Sequence, residues 1–150
     1  MWNRHSTLPR VSADELPPGR IDLHRTLDGA LGIETLEVAE DVARSRCPIT
    51  DKVRQPLGLV HGGLYAAMAE SLASIATALS VWEHGMLAVG LSNATSFMRP
   101  ATEGYVNAEA RRRHRGRTTW IWDVDCTDDQ GRLCATSRVT MAVRPRESAP

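Results

Sequence analysis

The stretch GLVHGGLYAAMAESLASIATALSVWE, residues 58–83, decides the fold. Leu64, Met68, Leu72, Ile75 and Leu79 recur at steps of three and four, the period of an α-helix. The Gly58-Leu59-Val60-His61-Gly62-Gly63 loop opens the helix, and His84-Gly85 supplies a stop. At 1.5 Å per residue it is long enough to cross a bilayer. It also holds Glu70, Ser71, Ser74, Thr77 and Ser80, and an unpaired carboxylate is costly in lipid. It therefore reads as a helix buried for much of its length in a soluble domain. Its many alanines and serines predict close approach to other backbone, either a sheet wrapped around it or a second helix.

Working outward, strand-like text begins near Leu31. From Val42 to Thr50, Arg44 and Arg46 alternate with Ala43, Ser45, Cys47 and Ile49, the period-two pattern of a half-buried strand. Beyond Gly85 four strands are predicted: Leu87 to Met98, ended by Arg99-Pro100; Gly104 to His114; Thr118 to Thr127; and Leu133 to Val143. Gly116-Arg117 turns the second into the third, and Asp128-Asp129-Gln130-Gly131 closes a hairpin into the last. In that last strand Leu133, Ala135, Ser137, Val139, Met141 and Val143 alternate with Arg132, Cys134, Thr136, Arg138 and Thr140. Strands, one long helix, then consecutive antiparallel strands make an α+β domain. A parallel nucleotide-binding sheet is excluded on this pattern, and no GxGxxG or Walker motif opposes that. Residues 1–20, with Pro9, Pro17, Pro18 and Gly19, read as an arm, and residues 21–150 as one domain.

At 150 residues the chain suits a single core. Eighteen Lys and Arg balance eighteen Asp and Glu, which argues against a nucleic-acid or membrane-surface binder. No secretory signal is visible at the N-terminus. Cys47, Cys126 and Cys134 cannot all pair within one chain, and no CxxC or Cys/His ladder suggests a metal site. They read as reduced structural cysteines of a cytoplasmic protein.

Glu70 is the only charged side chain between His61 and Glu83. Ser74 and Thr77 follow four and seven positions later on the same face. A carboxylate in a groove of small residues can act as base or nucleophile. The Gly62-Gly63 helix start offers unpaired N–H groups and the positive end of the helix dipole, suited to a developing oxyanion. His61 contacts substrate or fixes this loop. Gly62 and Glu70 are eight residues apart, about 12 Å along a helix. A glutamate cannot span that distance, so joint action on one bond requires two copies of the chain. The basic run Arg111 to Arg117 gives a positive hairpin end. Four Trp, two Tyr and one Phe offer few stacking platforms for nucleic acid. A phosphate-bearing small ligand held by arginines and the Thr118-Thr119 hydroxyls fits better, with a plain solvated hairpin tip as the alternative. Trp120 and Trp122 share one strand face as core or interface.

Several of these motifs together resemble the hotdog-fold thioesterases. The branch is that of the helix-glutamate 4-hydroxybenzoyl-CoA thioesterases and the 1,4-dihydroxy-2-naphthoyl-CoA thioesterases. The resemblance rests on Gln55-Pro56-Leu57-Gly58-Leu59-Val60-His61-Gly62-Gly63, Ala69-Glu70-Ser71, Val89-Gly90-Leu91-Ser92-Asn93, Phe97-Met98-Arg99-Pro100, Gly116-Arg117-Thr118-Thr119-Trp120 and Asp129-Gln130-Gly131-Arg132-Leu133-Cys134-Ala135. It covers roughly residues 26–146. It implies an antiparallel sheet around one central helix and hydrolysis of an aromatic acyl-CoA, with CoA as part of the substrate and no cofactor. Glu70 would attack the thioester or activate water, the Gly62 amide would polarise the carbonyl, and Gln55 and His61 would stand around the thioester. Ser74 stands where the hydroxybenzoyl enzymes commonly carry threonine. Arg99, Thr118 and Thr119 would hold CoA, with Arg117 replacing a small residue beside them. The implied assembly is a homotetramer, a dimer of dimers with shared sites. Two further readings are a hotdog dehydratase, which would place a histidine and an acid on the acyl thioester, and a non-catalytic acyl-CoA binder.

Overall fold

A computed structural model describes residues 21–146; the arm expected over residues 1–20 lies outside the described residues. A one-turn helix α1 (Leu27–Leu31) precedes strands β1 (Glu34–Val38) and β2 (Val42–Pro48). The long helix α2 (Gly62–Trp82) follows, then β3 (Met86–Phe97), β4 (Tyr105–Arg115), β5 (Thr119–Thr127) and β6 (Leu133–Pro145). The six strands form one antiparallel sheet in the order β1-β2-β4-β5-β6-β3, with α2 packed across it. This is the arrangement expected of the hotdog fold.

Sequence and structure agree closely from β2 onward. Alternate residues Ala43, Ser45 and Cys47 are buried, as the period-two pattern requires. Along α2 the buried stripe runs through Leu64, Met68 and Leu72 and then over Ala69, Ala73 and Ala76, while Ile75 and Leu79 are only half-buried. The alanines let the sheet approach the helix closely, so α2 has the hydropathy of a core helix. Trp120 and Trp122 are buried between helix and sheet.

Three local features depart from the simple reading. Helix α1 was not legible as a helix; it is capped by the Thr26 hydroxyl, ended by Gly32 at φ 77°, and tied to α2 by Ser71 Oγ donating to Asp28 Oδ1 at 2.6 Å. In β6, Cys134 is buried and Leu133 is 39% exposed, the reverse of the expected alternation at that end. A register shift against β5 at Cys126/Thr127 makes Cys134 the extra residue and sends Leu133 outward.

The third departure positions the site. Edge strand β3 pairs with β6, and its register slips between Gly90 and Ser92. Gly90 lies opposite Met141 and Asn93 opposite Val139, both core residues. Leu91 is thus the extra residue of a bulge, 57% exposed. Simple alternation would send positions three apart to opposite faces; the bulge turns Gly90, Asn93, Thr95 and Phe97 all towards α2.

Candidate active site

The helix start is built by a tight loop. Gly58, at φ 87°, turns the chain between Gln55 and Leu59, whose backbones exchange Gln55 N to Leu59 O at 2.8 Å. The Gln55 side-chain carbonyl accepts from Leu57 N within the same loop. His61 caps α2: its Nδ1 accepts from Gly63 N at 2.9 Å, leaving Nε2 as the donor nitrogen. The Gly62 N–H has no hydrogen-bond partner among the described residues, so a polar donor at the positive end of a 21-residue helix is left available. Phe97 lies over Gly62, where a Cβ would meet its ring at 2.9 Å. Its ring centroid is 6.2 Å from that of Tyr65, and it is 61% exposed.

Two turns along α2, Glu70 is half-buried against β3. Asn93 Nδ2 donates to Glu70 Oε2 at 3.1 Å and to Ala66 O at 2.9 Å. On the other side the carboxylate lies against bare glycine backbone: a Cβ built on Gly90 would fall 2.3 Å from Oε1. Ser74 continues this face towards β6, with its hydroxyl 4.0 Å from Met141 Sδ. Thr77 does not contribute chemistry. Its hydroxyl donates to Ala73 O at 2.7 Å and accepts from the buried Trp122 indole N–H at 2.9 Å, so it is a core residue.

The residues expected to hold CoA do not meet within one chain. Arg99 follows β3 near the helix start, where its N–H and that of Met98 share Cys134 O. Thr118, Thr119 and Arg117 form the β4–β5 turn. Phe97 pairs with Ala135 and Thr119 with Ala142, seven residues apart on β6, or roughly 24 Å. Each chain therefore holds two separate clusters: His61, Gly62, Phe97 and Arg99 at one end of the helix, and Glu70, Gly90, Asn93 and Ser74 further along.

The arginine run is largely neutralised. Arg111 pairs with Glu109, Arg112 with Asp41 and Glu40, Arg113 with Asp123 at 2.8 Å, and Arg115 with Glu40. The Arg112 guanidinium also stacks over Trp120, 4.6 Å from the ring centroid, and closes the core corner. Asp123, bonded first by Arg138 and then by Arg113, is held below the usual carboxylate range. Only Arg117 of this run has no ion pair among the described residues. The thiols offer no alternative nucleophile: burial pushes Cys126 up to about 12 and Cys47 to about 11.

Residues 57–135, from the loop before the helix start to β6, match the family model of the thioesterase superfamily. The chain belongs to that superfamily. The proofreading thioesterase EntH of Cronobacter turicensis is 35% identical over 143 residues, 95% of this chain and 98% of its own. The crystal structure of thioesterase HI1161 from Haemophilus influenzae superposes with a TM-score of 0.79 at 32% identity, covering 84% of this chain and 87% of its own. A mutant of thioesterase PA1618 from Pseudomonas aeruginosa gives 0.78 at 34% identity, covering 82% and 88%. This thioesterase is accordingly a thioester hydrolase on a hotdog fold. Membership decides for hydrolysis over the dehydratase and the non-catalytic binder.

Sequence reasoning singled out Glu70, Gly62 and His61, and quoted the Gly90 and Asn93 stretch of β3 without placing those two residues beside the carboxylate. The signal was present in Gly90 and Asn93, a glycine and an amide in an otherwise apolar and hydroxylic strand, but alternation alone separates them.

Proposed function

We propose that this thioesterase hydrolyses an aromatic acyl-CoA to the free acid and CoA, with Glu70 as nucleophile or general base and the Gly62 N–H as the donor to the carbonyl. The observation that carries the reading is the Glu70 carboxylate itself, half-buried, held by one amide donor and facing bare glycine backbone on β3. As general base, Glu70 takes a proton from water while the water oxygen adds to the thioester carbon. The oxyanion is received by the Gly62 N–H, and collapse breaks the C–S bond, the thiolate recovering the proton from Glu70. As nucleophile, Glu70 forms an acyl anhydride with loss of the thiolate, and water then cleaves it.

On one chain these groups are about 12 Å apart along the helix. The reading therefore includes a homo-oligomer in which the Gly62 end of one copy faces Glu70 of another. Support comes from β3, an edge strand of twelve residues with no second partner among the described residues and with Val89 and Leu91 exposed, which suits edge-to-edge pairing of two copies. A dimer of dimers would bring Arg99 of one copy towards Thr118, Thr119 and Arg117 of another to hold CoA, without any resident cofactor. An aromatic acyl group fits the exposed Phe97 ring beside Gly62, which offers a flat apolar surface next to the polarising donor. The three buried unpaired thiols suit action in the cytoplasm.

The test is thiol release from 4-hydroxybenzoyl-, 1,4-dihydroxy-2-naphthoyl-, phenylacetyl-, short-chain and long-chain acyl-CoA, by the wild type and by Glu70→Gln. The expected result is preference for an aryl thioester and a loss of roughly 10²–10⁴-fold in kcat in the variant. Undiminished turnover by Glu70→Gln would remove the mechanism, and preference for long aliphatic chains would remove the substrate class.

A further inference from the structure

We propose that Asn93 is a positioning residue of the thioesterase reaction, orienting the Glu70 carboxylate from β3 through a hydrogen-bond chain anchored in the core; this rests on the reading of Glu70 as the reacting carboxylate. The hydrogens along the chain fix its direction. Thr95 Oγ1 lies 2.8 Å from Asn93 Oδ1 and 2.8 Å from Ser137 Oγ. An amide oxygen only accepts, so the single Thr95 hydroxyl hydrogen goes to Asn93. Ser137, which is buried, must then donate to Thr95. With Oδ1 held in this way, the Asn93 amide cannot flip, and its NH₂ is presented to α2.

The two hydrogens on Nδ2 are divided between Ala66 O and Glu70 Oε2, positions i and i+4 of one helix face. Binding to the helix backbone at 2.9 Å sets the distance from which the amide addresses the carboxylate. Glu70 is thus held through Oε2 while Oε1 lies against the Gly90 backbone and takes no hydrogen bond from the described residues, so one oxygen is fixed by an amide and the other keeps its lone pairs for the reaction. A carboxylate on a three-torsion side chain would otherwise sample several rotamers, and fixing it ahead of reaction is worth a large part of the advantage of a bound base. The bulge at Leu91 is what allows Gly90 and Asn93 to flank the same side chain.

The test compares Asn93→Leu and Asn93→Asp with wild type, each also on the Glu70→Gln background, by thiol release at saturating and limiting substrate with thermal melts alongside. Leucine matches the size of asparagine without its donors, and aspartate matches its shape but can only accept. Both variants are expected to lower kcat at least tenfold with KM within twofold. Thr95→Val, which leaves the Asn93 donors in place, is expected to lower kcat only a few-fold. On the Glu70→Gln background neither Asn93 change should lower the residual rate further, because a residue that acts through Glu70 has nothing left to position. Equal losses on both backgrounds, or unchanged kcat in Asn93→Asp, would overturn the inference while leaving Glu70 in place. Full activity of Glu70→Gln alone would instead overturn the catalytic reading and the inference with it.

Discussion

Replacing Gly90 with alanine tests the site at its tightest point. The new Cβ would overlap Glu70 Oε1 and come within 3.5 Å of its Cδ, and nothing else lies within 4 Å. An ordinary carbon–oxygen contact is about 3.4 Å, so the carboxylate must retreat by about 1 Å, a displacement that costs roughly 10²-fold when a reacting group is involved. The fold should not suffer. The atom that yields is the tip of a flexible side chain, and Gly90 is not among the glycines with positive φ. Alanine in a strand is favoured over glycine by about 0.5–1 kcal/mol, which raises Tm by roughly 1–4 °C in a domain of this size. Gly90→Ala is therefore expected to melt no lower than wild type while its kcat for the preferred CoA ester falls about 100-fold. Steady-state thiol release and a thermal melt measure both. A kcat within threefold of wild type would refute the placement of the reacting carboxylate. A melt lowered by several degrees would show that the backbone, and not the side chain, had yielded.

Other outcomes follow from the same structure. Thr77→Val leaves the buried Trp122 indole N–H without its acceptor and should cost about 1–3 kcal/mol, or roughly 2–12 °C in a thermal melt, with turnover unchanged. Asp128 is buried at the β5–β6 hairpin, and burial alone would raise its pKa. Hydrogen bonds from the Arg132 N–H, the Arg132 guanidinium and the Gln130 N–H outweigh that and hold it below the usual carboxylate range. A carboxylate depressed in the folded state contributes stability above its unfolded pKa of about 3.9 and loses it as pH falls through the folded value. Asp128→Asn should therefore cost about 1–2 kcal/mol at pH 7, and the gap from wild type should narrow in urea melts taken below about pH 4. Arg117→Ala should raise KM for the CoA ester several-fold at unchanged kcat, whereas Arg113→Ala, already paired with Asp123, should leave KM within twofold.

The helix, its start and the four strands after it were legible because each depends on a local period or a local turn. Glu70 stands out in the sequence for the same reason, as the one charged side chain between His61 and Glu83. What the sequence could not disclose were register effects. The bulges at Leu91 and Cys134 depend on how two strands meet, and a single strand read alone carries no sign of its partner's offset. The ion pairs of the arginine run were hidden for a related reason. Glu40 and Asp41 lie about seventy residues away from Arg112 and Arg115, Asp123 stands on the next strand, and they approach only when β2, β4 and β5 align. Helix α1 was hidden by its length, one turn being too short to show a period.

Strands tolerate length changes poorly, because losing one residue turns every later side chain to the opposite face. The β3 bulge lifts that rule locally. With Leu91 removed, Gly90 and Asn93 would still both look inward along a regular ladder, and Thr95 and Phe97 with them. Deletion at Ala94 or Ser96 would instead invert the end of the strand that reaches Gly62. The pair Leu91 and Ser92 thus marks where this strand can shorten by one residue without scrambling its inner face, and families of length variants made here would separate the role of the bulge's bend from the role of the side chains it presents.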